Sequence, residues 1–212
     1  MKRLCFNVRK CFYSKYIFGD NMDNFDPKKG TTTVALVGTD GVVMAADMRA
    51  SMGYLIANKE AEKVNLIDDH MAMTIAGSVG DAQTLIRWMR AETNLYKMNN
   101  KKGMSIKSAT TLLANILQGN KYYPFMVQLL LGGYDDDGPS VYSIDAIGGV
   151  TTEKFTSTGS GSPVAYGVLE SQYKTGLTGF SKSLFKLPDL ISPVINLKSN
   201  GFVIFQITRT IP

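Results

Sequence analysis

Cysteine and histidine are scarce in this 212-residue sequence. The two cysteines are Cys5 and Cys11, so the chain beyond position 11 contains no cysteine and can form no internal disulfide. This is expected of a protein in a reducing compartment such as the cytoplasm. His70 is the single histidine. No His/Cys cluster with metal-ligand spacing exists, so the sequence implies no metal and no cofactor.

Long apolar runs and a strong charge excess are also missing. No run approaches the roughly 20 apolar residues of a membrane-spanning helix. Residues 1–30 hold seven Lys or Arg against three Asp, a net +4, and the remainder holds 16 basic against 15 acidic residues, a net +1. A nearly neutral body argues against a nucleic-acid-binding face. The length and the 44% hydrophobic content fit one ordinary soluble globular domain.

The basic leader, residues 1–30, has several interpretations. Its start, "MKRLCFNVRKCFYSKYIFGDN", lacks the continuous apolar core of a secretory signal. It fits a disordered arm, a targeting-like segment, or an over-extended start (1–21) with Met22 as the real initiator. The last is favoured because "MDNFDPKKG" makes a compact leader. A cation-rich arm that binds nucleic acid also fits and would be lost if the leader were removed.

The hydrophobic pattern predicts an α+β fold. Apolar runs around short polar turns predict hairpins over 32–46 and 64–77, with His70 in a solvated turn of the second. Helical spacing predicts a helix after Asp81, its N-cap, with Leu85, Trp88, Met89, Leu95 and Met98 on one apolar face, and a second helix from Ser105 to Gly119. Strands are predicted over 125–134, 140–145 and 148–159, and helical spacing over 162–173. Two stacked antiparallel sheets with helices outside would satisfy this order in a single domain from Thr31 onward.

The stretch "DPKKGTTTVALV" has two readings. Three consecutive β-branched hydroxyl residues suit the start of a buried strand. Alternatively, the chain is cut between Gly30 and Thr31, which leaves a threonine with a free α-amine. The α-amine has a reference pKa of about 7.7–8.0, so it could take the proton of the threonine hydroxyl and activate a weak nucleophile.

Several motifs at matching separations decide between these readings. "GTTTVALV", "MAADMRAS", "MTIAGSVGDAQTLIRWMRAE", "MVQLLLGG" and "STGSGSPVAYGVLESQY" together resemble an archaeal proteasome β subunit, from Gly30 to about Thr178. The resemblance implies a four-layer αββα sandwich and an N-terminal-nucleophile hydrolase, a threonine-type endopeptidase that removes its own propeptide, residues 1–30. It also implies that Thr31 is the nucleophile.

The same resemblance assigns supporting residues. Lys63 matches the active-site lysine, which lowers the pKa of its neighbours by like-charge repulsion, and Asp47 matches the carboxylate that orients it. Without the resemblance, Lys63 would be read as an exposed strand-edge lysine and Asp47 as a surface partner of Arg49. Gly77 matches the backbone N–H donor to the oxyanion, although a glycine there also permits close packing of a strand end. Ser160 matches the serine that hydrogen-bonds close to the threonine.

Substrate preference follows from family position. The side-chain pocket would be lined by Ala50, Ala61, Ile75 and Val79, with Gln83 at its edge. Small apolar walls without a charge should accept large apolar side chains, which implies a chymotrypsin-like preference.

The match fails between residues 179 and 200. Pro188 and Pro193 would interrupt a helix there, and realignment beyond them places Asn196 and Ser199 on the family's supporting aspartate and serine. The chain also stops short of the family's last strand. Paired reading-frame errors, genuine divergence or a decayed gene would each produce this pattern.

Three functions compete. The first is a catalytic subunit in seven-membered β rings, which stack with α-subunit rings into a twenty-eight-subunit core. This core would degrade unfolded polypeptides together with a regulatory ATPase. It would have no membrane or nucleic-acid partner. The second is a catalytically silent or assembly-defective ring component. The third is the related bacterial-type threonine peptidase, against which the "STGSGSP…YGVLESQY" run argues.

Overall fold

The computed structural model describes residues 30–52, 55–173, 191–199 and 202–209, and for residue 52 and the last two ranges it describes the backbone only. The expectations for residues 1–29, and those for most of the divergent segment, lie outside the described residues. Within the described part, no helix is long and apolar enough to cross a membrane.

The elements come in runs of strands followed by helices, as expected of an α+β fold. In chain order the strands are β1 Thr33–Val37, β2 Val42–Asp47, β3 Ala50–Met52, β4 Leu55–Asn58, β5 Val64–Asp68, β6 Met71–Gly77, β7 Val127–Asp135, β8 Gly138–Ile144, β9 Val150–Thr152, β10 Phe155–Thr158, β11 Ile191–Ser199 and β12 Phe202–Arg209. The helices are α1 Val79–Asn100, α2 Ile106–Gly119 and α3 Ser162–Gln172. Both predicted hairpins are confirmed, as β1–β2 and β5–β6.

Two five-stranded sheets form the centre of the molecule. The first has the order β10-β1-β2-β12-β11 and the second β5-β6-β7-β8-β9, and β3 and β4 form a separate ribbon. Neighbouring strands are antiparallel except β12, which runs parallel to β2.

Three apolar clusters define four layers. Side chains of β1 and β2 pack against those of β5, β6, β7 and β8 between the sheets, with Met44 and Leu130 fully buried there. The outer face of the second sheet is covered by α1 and α2. Leu36 and Val43 on the outer face of the first sheet pack with Leu169 of α3. The predicted αββα sandwich is therefore confirmed.

The predicted apolar face of α1 is only partly correct. Leu85 and Met89 are buried against the second sheet, but Trp88, Leu95 and Met98 are 45%, 53% and 78% exposed. The buried positions are completed by Ala82, Ile86 and Thr93. Residues 88 and 95 are seven apart and share an adjoining face of the helix, so spacing alone could not tell which of two apolar stripes meets the sheet.

The N-terminus of α1 also differs from the prediction. Ser78 occupies the N-cap position and the helix begins at Val79, so Asp81 lies in the first turn instead. There its carboxylate accepts a hydrogen bond from the Met126 backbone N–H at 2.9 Å. The predicted cap of α2 is confirmed, because Ser105 Oγ accepts from the Ser108 N–H.

His70 lies in the β5–β6 turn as predicted, but it is not solvated there. Its side chain is 19% exposed, and its Nε2 lies 2.8 Å from the Met104 carbonyl oxygen. The α1–α2 connection covers the ring, since a Cβ added at Gly103 would lie 2.9 Å from His70 Cε1.

Residues 191–199 and 202–209 form strands, which agrees with the expectation that Pro193 would interrupt a helix. Pro193 lies in β11, the edge strand of the first sheet, where the pairing with β12 shifts register after Pro193. Proline is tolerated at such a position because an edge strand needs no ladder hydrogen bond on its open side.

Candidate active site

Lys63 is the centre of a polar cluster at one end of the sandwich. It lies directly before β5, and its side chain is only 7% exposed. Its Nζ donates to Thr31 Oγ1 at 3.1 Å, to both Asp47 carboxylate oxygens at 3.0 Å, and to the Arg49 carbonyl. Burial lowers the pKa of the Lys63 ammonium from its ordinary value, and the hydrogen bond and charge of Asp47 oppose that shift. The result is a buried, partnered cation against the threonine hydroxyl.

Asp47 connects this cation to the chain around Thr31. It ends β2, and its Oδ1 accepts from the Thr32 backbone N–H at 2.8 Å while its Oδ2 accepts from the Arg49 N–H at 3.1 Å. The Asp47 N–H donates back to the Thr32 carbonyl at 3.2 Å. Hydrogen bonds to an ionised carboxylate are stronger than neutral ones, so this residue fixes both the lysine and the peptide after Thr31.

The loop between β10 and α3 holds Thr31 from the other side. Ser160 Oγ donates to the Thr31 carbonyl at 3.4 Å and the Gly161 N–H donates to it at 3.2 Å. Gly159 has φ +94°, and a Cβ added there would lie 2.3 Å from the Thr31 carbonyl oxygen. Only glycine allows this approach.

Gly77 ends β6 and lines a cavity beside Thr31 and Lys63. Its φ is +117°, and an added Cβ would lie 2.2 Å from the Met126 carbonyl oxygen. The strand end therefore requires glycine, whichever role its N–H has.

A cavity of about 100 Å³ opens beside Thr31 and Lys63. Four of the predicted pocket residues line it: Ala50, Ala61, Ile75 and Val79. Gln83 is not among the lining residues and is exposed on α1.

The cavity wall also contains residues that sequence reasoning missed. Ser51, Ser78, Ala82 and Glu62 line it together with Gly77. The expectation of walls without a charge was wrong, because Glu62 lies between Ala61 and Lys63 in the segment that borders the cavity. The sequence offered one signal for these residues, which is that each directly neighbours, or lies within a few positions of, a predicted site residue.

Asn196 and Ser199 are not brought to this cluster by the backbone. Ser199 pairs with Phe202, which pairs with Val42, whereas Asp47 lies at the opposite end of β2. Five residues of strand span roughly 17 Å. Asn196 pairs with Phe205, level with Ala45, and β12 separates it from β2. The alignment across the divergent segment predicted Ser199 beside Thr31, but the strand pairing places it at the opposite end of the first sheet.

Comparison with known proteins agrees with this geometry. A family model described as proteasome subunit matches residues 27–180. "Proteasome subunit beta" of Methanosarcina thermophila is 56% identical over 158 residues, 74% of this chain and 75% of that protein. The proteins of the same name from Methanococcus vannielii and Methanocaldococcus vulcanius are 51% and 57% identical, over 86% and 70% of this chain and 85% and 67% of theirs. With a family model covering most of the chain and relatives at this identity, the chain belongs to the proteasome subunit family and is similar to its archaeal beta subunits.

Proposed function

We propose that this chain is the catalytic beta subunit of a 20S proteasome core, a threonine-type endopeptidase whose nucleophile is Thr31. The observation that carries the proposal is the 3.1 Å contact between Lys63 Nζ and Thr31 Oγ1, with Asp47 behind the lysine. Removal of residues 1–30 would convert the Thr31 amide nitrogen into an α-amine, a base that titrates near neutrality.

Each residue has one task in the proposed reaction. The α-amine of Thr31, directly or through one water, takes the hydroxyl proton, and Oγ1 attacks the carbonyl carbon of a peptide bond. The Lys63 ammonium stabilises the developing alkoxide, and its charge lowers the pKa of the Thr31 α-amine and of the Thr31 hydroxyl. The Gly77 N–H binds the oxyanion, and donors of this kind contribute about 2.7–4 kcal/mol. The protonated α-amine gives its proton to the nitrogen of the cut bond, which leaves as an amine, and the carbonyl carbon stays on Oγ1 as an ester. The α-amine then takes a proton from water as the water oxygen attacks the ester, and returns the proton to Oγ1 as the carboxyl product is released and Thr31 is regenerated.

Assembly follows from the family. We propose seven-membered β rings stacked with α-subunit rings in the cytoplasm, fed with unfolded polypeptide by a regulatory ATPase. The M. thermophila and M. vannielii relatives are named as subunits, which supports a multi-subunit particle for this chain as well.

The nucleophile is tested by intact mass and peptide hydrolysis after co-assembly with α subunits. The wild type should yield a species beginning at Thr31 and hydrolyse peptides. Thr31→Ala should remain uncut and inert, and Thr31→Ser, which keeps the hydroxyl, should retain partial activity. An active particle that still carries its leader would contradict the proposal. A wild type that stays permanently uncut, or that is cut but inert, would favour the silent ring component, which the distant placement of Ser199 also supports.

The proposed chymotrypsin-like preference rests on the apolar part of the cavity wall, Ala50, Ile75 and Val79, although Glu62 also lines the cavity. Val79→Arg should depress cleavage after Tyr and Leu by filling that space with a charge. Asn94→Arg, which adds the same charge on an exposed position of α1, is the matched control. An unchanged peptide profile in Val79→Arg would overturn the pocket assignment.

A further inference from the structure

Three buried threonine hydroxyls form a chain between the two sheets. Thr74 Oγ1 donates to Thr33 Oγ1 at 3.3 Å, and Thr33 Oγ1 shares a hydrogen bond with Thr158 Oγ1 at 2.6 Å. Thr33 and Thr74 are fully buried and Thr158 is 8% exposed. Ser157 Oγ adds a 2.7 Å bond to the Thr33 carbonyl.

Burying these three threonine hydroxyls between the sheets costs desolvation free energy. The neighbouring inter-sheet core consists of aliphatic and methionine side chains. A buried hydroxyl without a hydrogen-bond partner destabilises the folded protein, so each of the three hydroxyls depends on the others. A slip of either sheet would leave buried hydroxyls unpaired. The three hydroxyls therefore specify one alignment of the strands that carry them.

Those strands are the ones that build the site. Thr33 follows Thr31 by two residues on β1. Thr74 pairs with Val64, directly after Lys63, and the next N–H along β6, that of Ile75, donates to the Lys63 carbonyl at 2.9 Å. Thr158 immediately precedes the Gly159–Gly161 loop that contacts the Thr31 carbonyl.

We infer that Thr33 is a positioning residue, whose hydroxyl aligns the strand of the nucleophile with the strands of the lysine and of the loop. It touches no substrate and acts through Thr31 and Lys63. The inference rests on the proposed function of Thr31. A displacement of a reacting group by about 1 Å costs on the order of a hundredfold in rate, so a hydroxyl with this task affects turnover more than binding.

The test replaces Thr33 by valine, which keeps the shape and removes the hydroxyl. In the assembled particle, Thr33→Val should lower kcat roughly ten- to a hundredfold, leave KM close to that of the wild type and slow the removal of the leader. Thr33→Ser, which restores the hydroxyl, should recover most of the rate. Thr93→Val is the matched control, because the Thr93 hydroxyl is equally buried but bonds within α1, to the Met89 carbonyl.

A second readout does not depend on turnover. Trace acetylation of Lys63, measured by mass spectrometry against Lys97 in the same sample, should be several-fold faster in Thr33→Val than in Thr93→Val, since its partners are no longer aligned. Equal kcat and equal acetylation in the two variants would overturn the inference while leaving the proposed function intact. An inert wild type would overturn the proposed function instead, and Lys63 acetylation alone would then decide the role of Thr33.

Discussion

Lys63 is surrounded by opposing influences on its charge. Its burial favours the neutral amine, whereas the Asp47 carboxylate 3.0 Å away favours the ammonium. Burial prevails and the pKa is lowered. The Asp47 carboxylate, Thr31 Oγ1 and the Arg49 carbonyl accept hydrogen bonds from Lys63 Nζ, and these contacts favour the charged form against the effect of burial.

The lowered pKa predicts a pH dependence of stability. Between the folded-state pKa of Lys63 and its ordinary value of 10.5, the unfolded chain binds more protons than the folded one, so folding stability rises with pH. The free energy of unfolding of the wild type, minus that of Lys63→Met, should therefore increase as the pH rises toward 10.5. Urea unfolding of both chains at several pH values measures it, and Lys97→Met, which removes an exposed lysine whose pKa is raised, is the control. A difference that falls with pH would contradict the assignment.

The end of β6 brings a strand terminus, a helix start and a loop together. Gly77 pairs with Val127 of β7, and Ser78 occupies the N-cap position of α1. The Ser78 N–H donates to the Met126 carbonyl at 2.7 Å. One turn of chain thus passes from the second sheet to the helix beside the cavity, which leaves no room for a side chain at position 77.

Two glycine substitutions in this segment should have opposite effects. Gly77→Ala should lower the free energy of unfolding by about 1–3 kcal/mol, because φ is positive and the Cβ meets backbone. It should also reduce peptide hydrolysis. Gly80→Ala, inside α1 with nothing within 4 Å of the added Cβ, should instead raise stability by about 0.5–1 kcal/mol. Denaturant unfolding of both variants measures this, and a stable, active Gly77→Ala would refute the strain argument.

The sandwich as a whole divides the site between its two sheets. The first sheet supplies Asp47 and the chain that leads to Thr31, and the second supplies Gly77 and the residue before β5, Lys63. Packing between the sheets therefore sets the distance between Thr31 Oγ1 and Lys63 Nζ.

Leu130 tests that packing. It is fully buried between the sheets, so Leu130→Ala should lower the free energy of unfolding of the isolated full-length chain by about 2–5 kcal/mol through lost burial and a residual cavity. Leu95→Ala removes the same atoms from a half-exposed position of α1 and should change stability by no more than about 0.5 kcal/mol. An equal loss of unfolding free energy in the two variants would show that the inter-sheet core contributes less to stability than expected.

Much of this protein could be predicted from local sequence. Apolar runs around short polar turns located the β1–β2 and β5–β6 hairpins, and Ser105 marked the start of α2. The motifs around Thr31, Asp47 and Lys63 predicted a cluster that the structure brings within hydrogen-bonding distance. These features depend on residues close in the chain, or on segments long enough to be recognised.

Contacts between distant segments were decided by the tertiary structure alone. Helical spacing could not select which stripe of α1 meets the sheet, and alignment across residues 179–200 could not place Ser199, because strand pairing assigns it to the far end of β2. The hydroxyl contact between Thr33 and Thr158 joins residues 125 apart in the chain. Such a contact has no local signature, because a buried threonine in a strand looks the same in sequence whether its hydroxyl meets a neighbouring strand or its own backbone.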